Sequence, residues 1–143
     1  MEPKPKHVKI ILGTLGSDGY HLFVNVTING KKCRFLIDTG ASKTVIDKIY
    51  FEKNFGKGKL KTIKQETTGL HGSVAESYFG HVKEIGIGKH YVKNRNMPAV
   101  DLSHVNGTYK KLKKPVIQGI LGSDLMLEYK MIIDYGLLKI FLR

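Results

Sequence analysis

An apolar run, Phe35-Leu36-Ile37, leads directly into Asp38-Thr39-Gly40 and then into the small residues Ala41-Ser42. A carboxylate at the end of a buried strand costs free energy unless it is hydrogen-bonded or shared, and a group held in that way is suited to proton transfer. Gly40 permits a tight backbone, and its amide and those of Ala41 and Ser42 are able to hydrogen-bond the carboxylate. Thr39 offers a small hydroxyl that can bond to backbone across a close contact where a larger side chain would not fit. Alone, the tripeptide also suits a turn capped by an Asp. A second element, Val116 to Met126, shifts the balance, because it again runs an apolar strand into a glycine and then a short helix.

Other chemistries find less support. Asp124 follows Gly122-Ser123 at a helix start and lacks a Thr-Gly turn, and Asp134 precedes Tyr135-Gly136 and reads as a hairpin-turn residue. The six histidines, His7, His21, His71, His81, His90 and His104, contain no short-spaced metal pair and have no cysteine cluster beside them, so no metal and no cofactor are expected. Gly86-Ile87-Gly88 is too short for a dinucleotide loop and suits a hairpin turn. Cys33 is the single cysteine, which rules out an intrachain disulfide, and its alternation with Phe35 and Ile37 marks a small core residue.

The elements that must position Asp38 are mostly strands. Leu22, Val24, Val26 and Ile28 alternate with Phe23, Asn25 and Thr27, the period of a half-buried strand over 20–28. Asn29-Gly30 then predicts a two-residue hairpin turn, with Cys33 to Ile37 as the partner strand. Thr44 to Phe55 reads as a short helix stopped by Gly56. Residues 60–68 and 74–88 read as two strands joined by a turn at Gly69-Leu70-His71-Gly72-Ser73. Tyr91 to Leu102 reads as a strand, Ser103 to Pro115 as a basic loop, and Val116 to Leu121 as a short strand. Ser123 is placed to cap a helical turn that runs to Leu127 or Tyr129, with Asp124 in its first turn. Two apolar strands, Met131 to Ile133 and Leu137 to Leu142, close the chain around Tyr135-Gly136 as a hairpin that needs cover.

Sixteen glycines and four prolines punctuate short apolar runs throughout the 143 residues, as in an all-β domain with many tight turns. Residues 1–19 are assigned to an N-terminal extension or first strand and 20–143 to a single domain. No apolar stretch reaches membrane-spanning length and the N-terminus has no signal-peptide core, so a cytoplasmic protein without a membrane partner is expected. The net charge of +12 is large for this size. Much of it sits in Lys53, Lys57, Lys59, Lys61 and Lys64 and in Lys110, Lys111, Lys113 and Lys114, stretches that match no nucleic-acid motif. A solubilising surface is the simpler reading, and nucleic acid is not expected as a partner.

Taken together, Leu36-Ile37-Asp38-Thr39-Gly40-Ala41-Ser42 and Ile120-Leu121-Gly122 resemble the two motifs of the retropepsin-like aspartic peptidases, and more specifically their non-viral members. The glycine-bounded hairpin around Leu70 and His71 falls where that family carries its flap, and Ile133-Asp134-Tyr135 with Leu138-Lys139-Ile140 is similar to its closing hairpin. The resemblance implies an all-β closed barrel or sandwich with one or two short helices. It also implies an aspartic endopeptidase that acts on polypeptides as a homodimer, because one chain holds one motif and hydrolysis needs two carboxylates sharing a proton. Activity is then expected to peak in mildly acidic to near-neutral conditions.

By the same resemblance Asp38, Thr39 and Gly40 are catalytic, while Ala41, Ser42, Gly69, Leu70, His71, Gly72 and Ile120 contact substrate. Ser42 and Ser123 stand where retroviral members commonly have Asp and Arg, so the ion pair that braces their site cannot form, and a different brace is expected. The competing readings are a catalytically silent peptide-binding or dimerisation module of the same fold, and a basic nucleic-acid-associated protein.

Overall fold

The computed structural model describes residues 6–14, 19–66 and 74–143, without the side chains of 64–66 and 74–76. In chain order the elements are β1 (Lys6–Thr14), β2 (Tyr20–Ile28), β3 (Lys31–Ile37), β4 (Val45–Asp47), α1 (Lys48–Phe55), β5 (Lys61–Glu66), β6 (Val74–Ile87), β7 (His90–Val100), α2 (Ser103–Lys111), β8 (Gly119–Leu121), α3 (Ser123–Glu128), β9 (Ile132–Asp134) and β10 (Lys139–Leu142). The strands follow the order β5-β6-β7-β4-β8-β3-β2-β1-β10-β9, and a further pairing of β2 with β6 closes six of them into a barrel. β5 and β9 are left at the two edges.

The β2–β3 hairpin turns at Asn29 (φ 51°) and Gly30 (φ 82°), the left-handed backbone that this residue pair tolerates. Its register, Phe23 opposite Leu36 and Ile28 opposite Lys31, sends Phe35 into the main core and leaves Arg34 and Leu36 on the other face. That main core fills the barrel with residues such as Val24, Val26, Ile46, Ile85 and Leu121. A second, smaller cluster of Phe23, Leu102, Tyr109 and Ile117 lies on the Leu36 side, and Leu36 and Ile120 pack against it half-buried. Cys33 is buried. Burial raises its pKa, partly opposed by the hydrogen bond to Tyr50.

Three local expectations are corrected. Residues 45–47 are a strand, and the helix starts only at Lys48, because Asp47 is its N-cap: its carboxylate accepts Tyr50 N–H (3.2 Å) and Leu102 N–H (3.0 Å). The basic stretch from Ser103 is helix α2, not a loop. Leu102, Val105 and Tyr109 recur at helical spacing and cover the smaller cluster, while Lys110 and Lys111 sit in the last turn, where the helix dipole favours cations. The strand expected from Val116 shrinks to Gly119–Leu121, since the Asn106 amide takes both backbone groups of Ile117 (2.8 and 2.9 Å).

The closing hairpin forms as expected, with β10 paired to β1 as well as to β9, and Asp134 accepts Leu137 N–H (2.8 Å) at its turn. No described helix is long and apolar enough to cross a membrane. β4 joins β7 to β8 in the barrel wall, and its Ile46 is completely buried. Ile46→Ala is therefore expected to cost about 2–5 kcal/mol of unfolding free energy, measured by denaturant titration.

Candidate active site

β8 lies parallel to β3 and antiparallel to β4, so it is wedged between the strand that enters the 38–44 loop and the strand that leaves it. The loop must arch over the end of β8. Asp38 continues the β3–β8 ladder by one step, donating its N–H to Leu121 O (3.0 Å). Its half-buried carboxylate accepts the Gly40 N–H at Oδ1 (2.9 Å). The Ala41 amide, expected at the carboxylate, instead closes the turn on the Asp38 carbonyl (3.1 Å). Oδ2 has no partner among the described residues. Thr39, Gly40 and Ser42 are exposed and Ala41 is half-buried.

The arch leaves no room for a side chain at Gly122. A Cβ there would lie 2.6 Å from the Lys43 carbonyl and 2.9 Å from Ala41 O. Across this contact Ser123 N–H donates to Ala41 O (2.8 Å). Thr44, which is buried, then ties the two segments together. Its hydroxyl donates to Asp124 Oδ1 (2.7 Å) and accepts from Gly122 N–H (3.0 Å), while its own N–H also reaches Asp124 Oδ1 (2.9 Å).

Ser42 and Ser123 form no ion pair, and the Thr44–Asp124 clasp joins the two segments to which they belong. From the sequence, Thr44 is expected only as the first residue of a helix and Asp124 only as a helix-start residue; the structure pairs them instead. Ser123 is not the cap of α3. The N-cap is Gly122, and the Asp124 carboxylate in the first turn is directed to Thr44. The signal available was a hydroxyl just beyond the first motif together with a carboxylate just beyond the second.

Ile120 sits beside Leu36 in the β3–β8 ladder, and both remain half-buried on the face shared with Asp38. Behind them the Phe23 ring meets the Tyr109 ring edge-on (5.7 Å), and the Arg34 guanidinium stacks on Phe23 at 3.9 Å. His21 Nδ1 is hydrogen-bonded to the Tyr109 hydroxyl (2.8 Å). Burial raises the Tyr109 phenol, opposed by the neighbouring Arg34, and lowers the Arg34 guanidinium, opposed by Tyr109. This apolar, partly aromatic wall was legible only as scattered strand residues. Gly69, Leu70, His71 and Gly72 lie outside the described residues, although their flanking strands β5 and β6 pair from Lys61 opposite Phe79 to Glu66 opposite Val74. No group of three His, Cys, Asp or Glu side chains able to hold a metal ion occurs among the described residues.

A family model described as aspartyl protease matches residues 24–125, which include both motifs and the clasp between them. The chain belongs to the aspartyl protease family. Among solved structures, a retropepsin-like aspartic protease from Rickettsia conorii is similar over 99% of this chain and 97% of its own, at 24% identity and a TM-score of 0.60. The retroviral protease-like domain of Ddi1 from Leishmania major is similar over 81% of this chain and 82% of its own, at 16% identity and a TM-score of 0.52. A comparison with curated proteins finds no match. The aspartyl protease fold of this chain is thus of the retropepsin-like kind, a mostly-β barrel with short helices.

Two substitutions test the brace. Thr44→Val keeps the shape but strips Gly122 N–H of its acceptor and Asp124 of a donor, for an expected loss of about 1–3 kcal/mol. Gly122→Ala drives a methyl into the backbone of the arch, for an expected loss of about 1–3 kcal/mol by overpacking. Denaturant unfolding measures both, and Thr44→Ser should retain most of the stability.

Proposed function

We propose that this chain is an aspartic endopeptidase that acts as a homodimer, each copy contributing Asp38 to a shared dyad. The observation that carries the reading is the difference between Asp38 and the other described aspartates. Asp47 caps α1, Asp101 accepts the Ser103 N–H and hydroxyl, Asp124 holds Thr44, and Asp134 closes the last hairpin turn. Each is engaged by its own donors. Asp38 too has one oxygen engaged, by Gly40 N–H, but its donor comes from its own turn and its carboxylate fastens no second element among the described residues; it sits where barrel strand β3 ends, beside exposed small residues that leave room for a second copy.

Two such carboxylates brought together by a twofold axis share one proton, because both cannot ionise cheaply at close range. The ionised one draws a proton from water as it attacks the substrate carbonyl, and the protonated one donates to the carbonyl oxygen. In this arrangement Gly40 N–H holds one oxygen of each carboxylate, and Thr39 is free to bond to backbone across the contact. Leu36 and Ile120 offer apolar surface to substrate side chains, Ala41 a small surface beside the dyad, and Ser42 polar groups to the substrate backbone. The segment around Gly69, Leu70, His71 and Gly72 is assigned to the flap on resemblance to the family.

Support for a second copy comes from the far edge of the sheet. Ile132, Tyr135 and Leu137 in and beside the β9–β10 hairpin, together with Leu127 of α3, are each more than half exposed. Apolar side chains grouped at an unpaired edge call for cover.

Hydrolysis of a peptide library from mildly acidic to neutral pH tests the reading. Wild type should show a bell-shaped profile and inhibition by a statine-type compound. Asp38→Asn should lose at least about 10²-fold in rate with its melting temperature unchanged. Specific activity should fall on dilution as the dimer dissociates, and Ile132→Glu should move that fall to higher concentration, as read by light scattering. Equal inactivity of wild type and Asp38→Asn as dimers would leave a silent module of the same fold. A strict monomer that retains full activity would remove the shared dyad.

A further inference from the structure

At the edge of the sheet opposite the closing hairpin, two adjoining clefts run along the outer face of β5, β6 and β7. The larger, of about 920 Å³, is bordered by the Asn29-Gly30 turn and the end of α1, and the smaller, of about 450 Å³, continues along Lys61, Thr62 and Ile63 of β5. Lys59, Lys61 and His81 line both. The cross-strand register explains why these groups converge. Lys61 lies opposite Phe79 and His81 opposite Asn96, and Phe79, His81 and Lys83 alternate along the same face of β6. Lys31 adds a further cation at the rim, bonded to Asn54 and set over the Phe55 ring.

Among the described side chains, the charge of this face is not balanced locally. Lys59, Lys61 and Lys83 join no ion pair among the described residues, and the one acid lining the clefts, Glu84, is engaged by Lys93. The rings there are poorly placed to stack bases. Phe51 is buried, Phe55 is half-buried with Lys31 across it, and Phe79 is half-buried in the sheet. What the face offers alongside its cations is a backbone edge left unpaired among the described residues, since β5 pairs there with β6 alone. Edge lysines ordinarily keep strands of other copies away. On a chain of charge +12 they repel a second copy but are complementary to an acidic chain.

We propose that these clefts and the free edge of β5 bind an extended acidic segment of another polypeptide, which adds as a strand to β5 and sets its carboxylates against Lys59, Lys61, Lys83 and His81. Binding here does not depend on hydrolysis. The six residues of β5 match a segment of similar length.

The test uses the full chain carrying Asp38→Asn, so that a bound peptide stays intact, and fluorescence anisotropy with a labelled peptide of alternating Glu and Thr. Binding that weakens as salt rises is expected. Combined Lys59→Glu, Lys61→Glu and Lys83→Glu should weaken it about tenfold or more with melting unchanged, whereas Lys110→Glu, Lys111→Glu and Lys114→Glu, an equal charge change at the end of α2 and just beyond it, should leave it within about twofold. A peptide with alternate backbone N-methylation should bind about tenfold less well. Equal losses from the two triple variants would reduce the effect to net charge and overturn the site. Tighter binding of an oligothymidylate through the same three lysines would make it a nucleic-acid site and overturn the polypeptide assignment. Undiminished binding of the N-methylated peptide would overturn strand addition.

Discussion

Two stretches of backbone meet at Gly122 with no side chain between them, and the arch that carries Asp38 depends on that contact. The topology imposes it. Because β8 lies between β3 and β4, the loop from Asp38 to Thr44 has to cross the end of β8, and a Cβ on Gly122 would collide with main chain that cannot rotate away. Once the segments touch, their polar groups must be satisfied in place. The Thr44 hydroxyl does this by accepting from Gly122 N–H and donating to Asp124 Oδ1, both on the segment facing its own. The position of the Asp38 carboxylate follows from these contacts and from the last rung of the β3–β8 ladder.

The outer parts of the molecule serve this centre in different ways. Helix α2 closes the smaller core with Tyr109 and thereby backs Leu36 and Ile120, while its Asn106 amide replaces a strand partner for Ile117. Asp47 fastens β4 to both α1 and the backbone leading into α2, so the strand leaving the arch is anchored beyond its three residues. The cations of the surface stand apart from this scheme, with most lysines engaged in no ion pair among the described residues.

How far the fold was legible in the sequence depended on whether each signal was local. The β2–β3 hairpin was, because strict alternation and Asn29-Gly30 fix period, turn and register within a few residues. Asp38 at a strand end and Gly122 after Leu121 were legible for the same reason. Helix α2 was obscured by its lysines and by Asn106-Gly107, a pair that signals a turn in a hairpin but was carried into a helix by packing of Val105 and Tyr109. The start of α1 was misplaced because Val45 and Ile46 satisfy helical spacing as well as a short buried strand. Thr44 and Asp124 could not be paired from local pattern at all, since neither breaks the expected run and their relation exists only in three dimensions.

That relation has a consequence in time. Thr44 and Asp124 are 80 positions apart. Closing so long a segment has an entropic cost and cannot begin until both ends exist. During synthesis the stretch from Asp38 to Thr44 is made well before Asp124, the partner of Thr44 80 positions further on. Until Gly122 and Asp124 have been added, the Asp38 loop lacks the contacts that hold its shape.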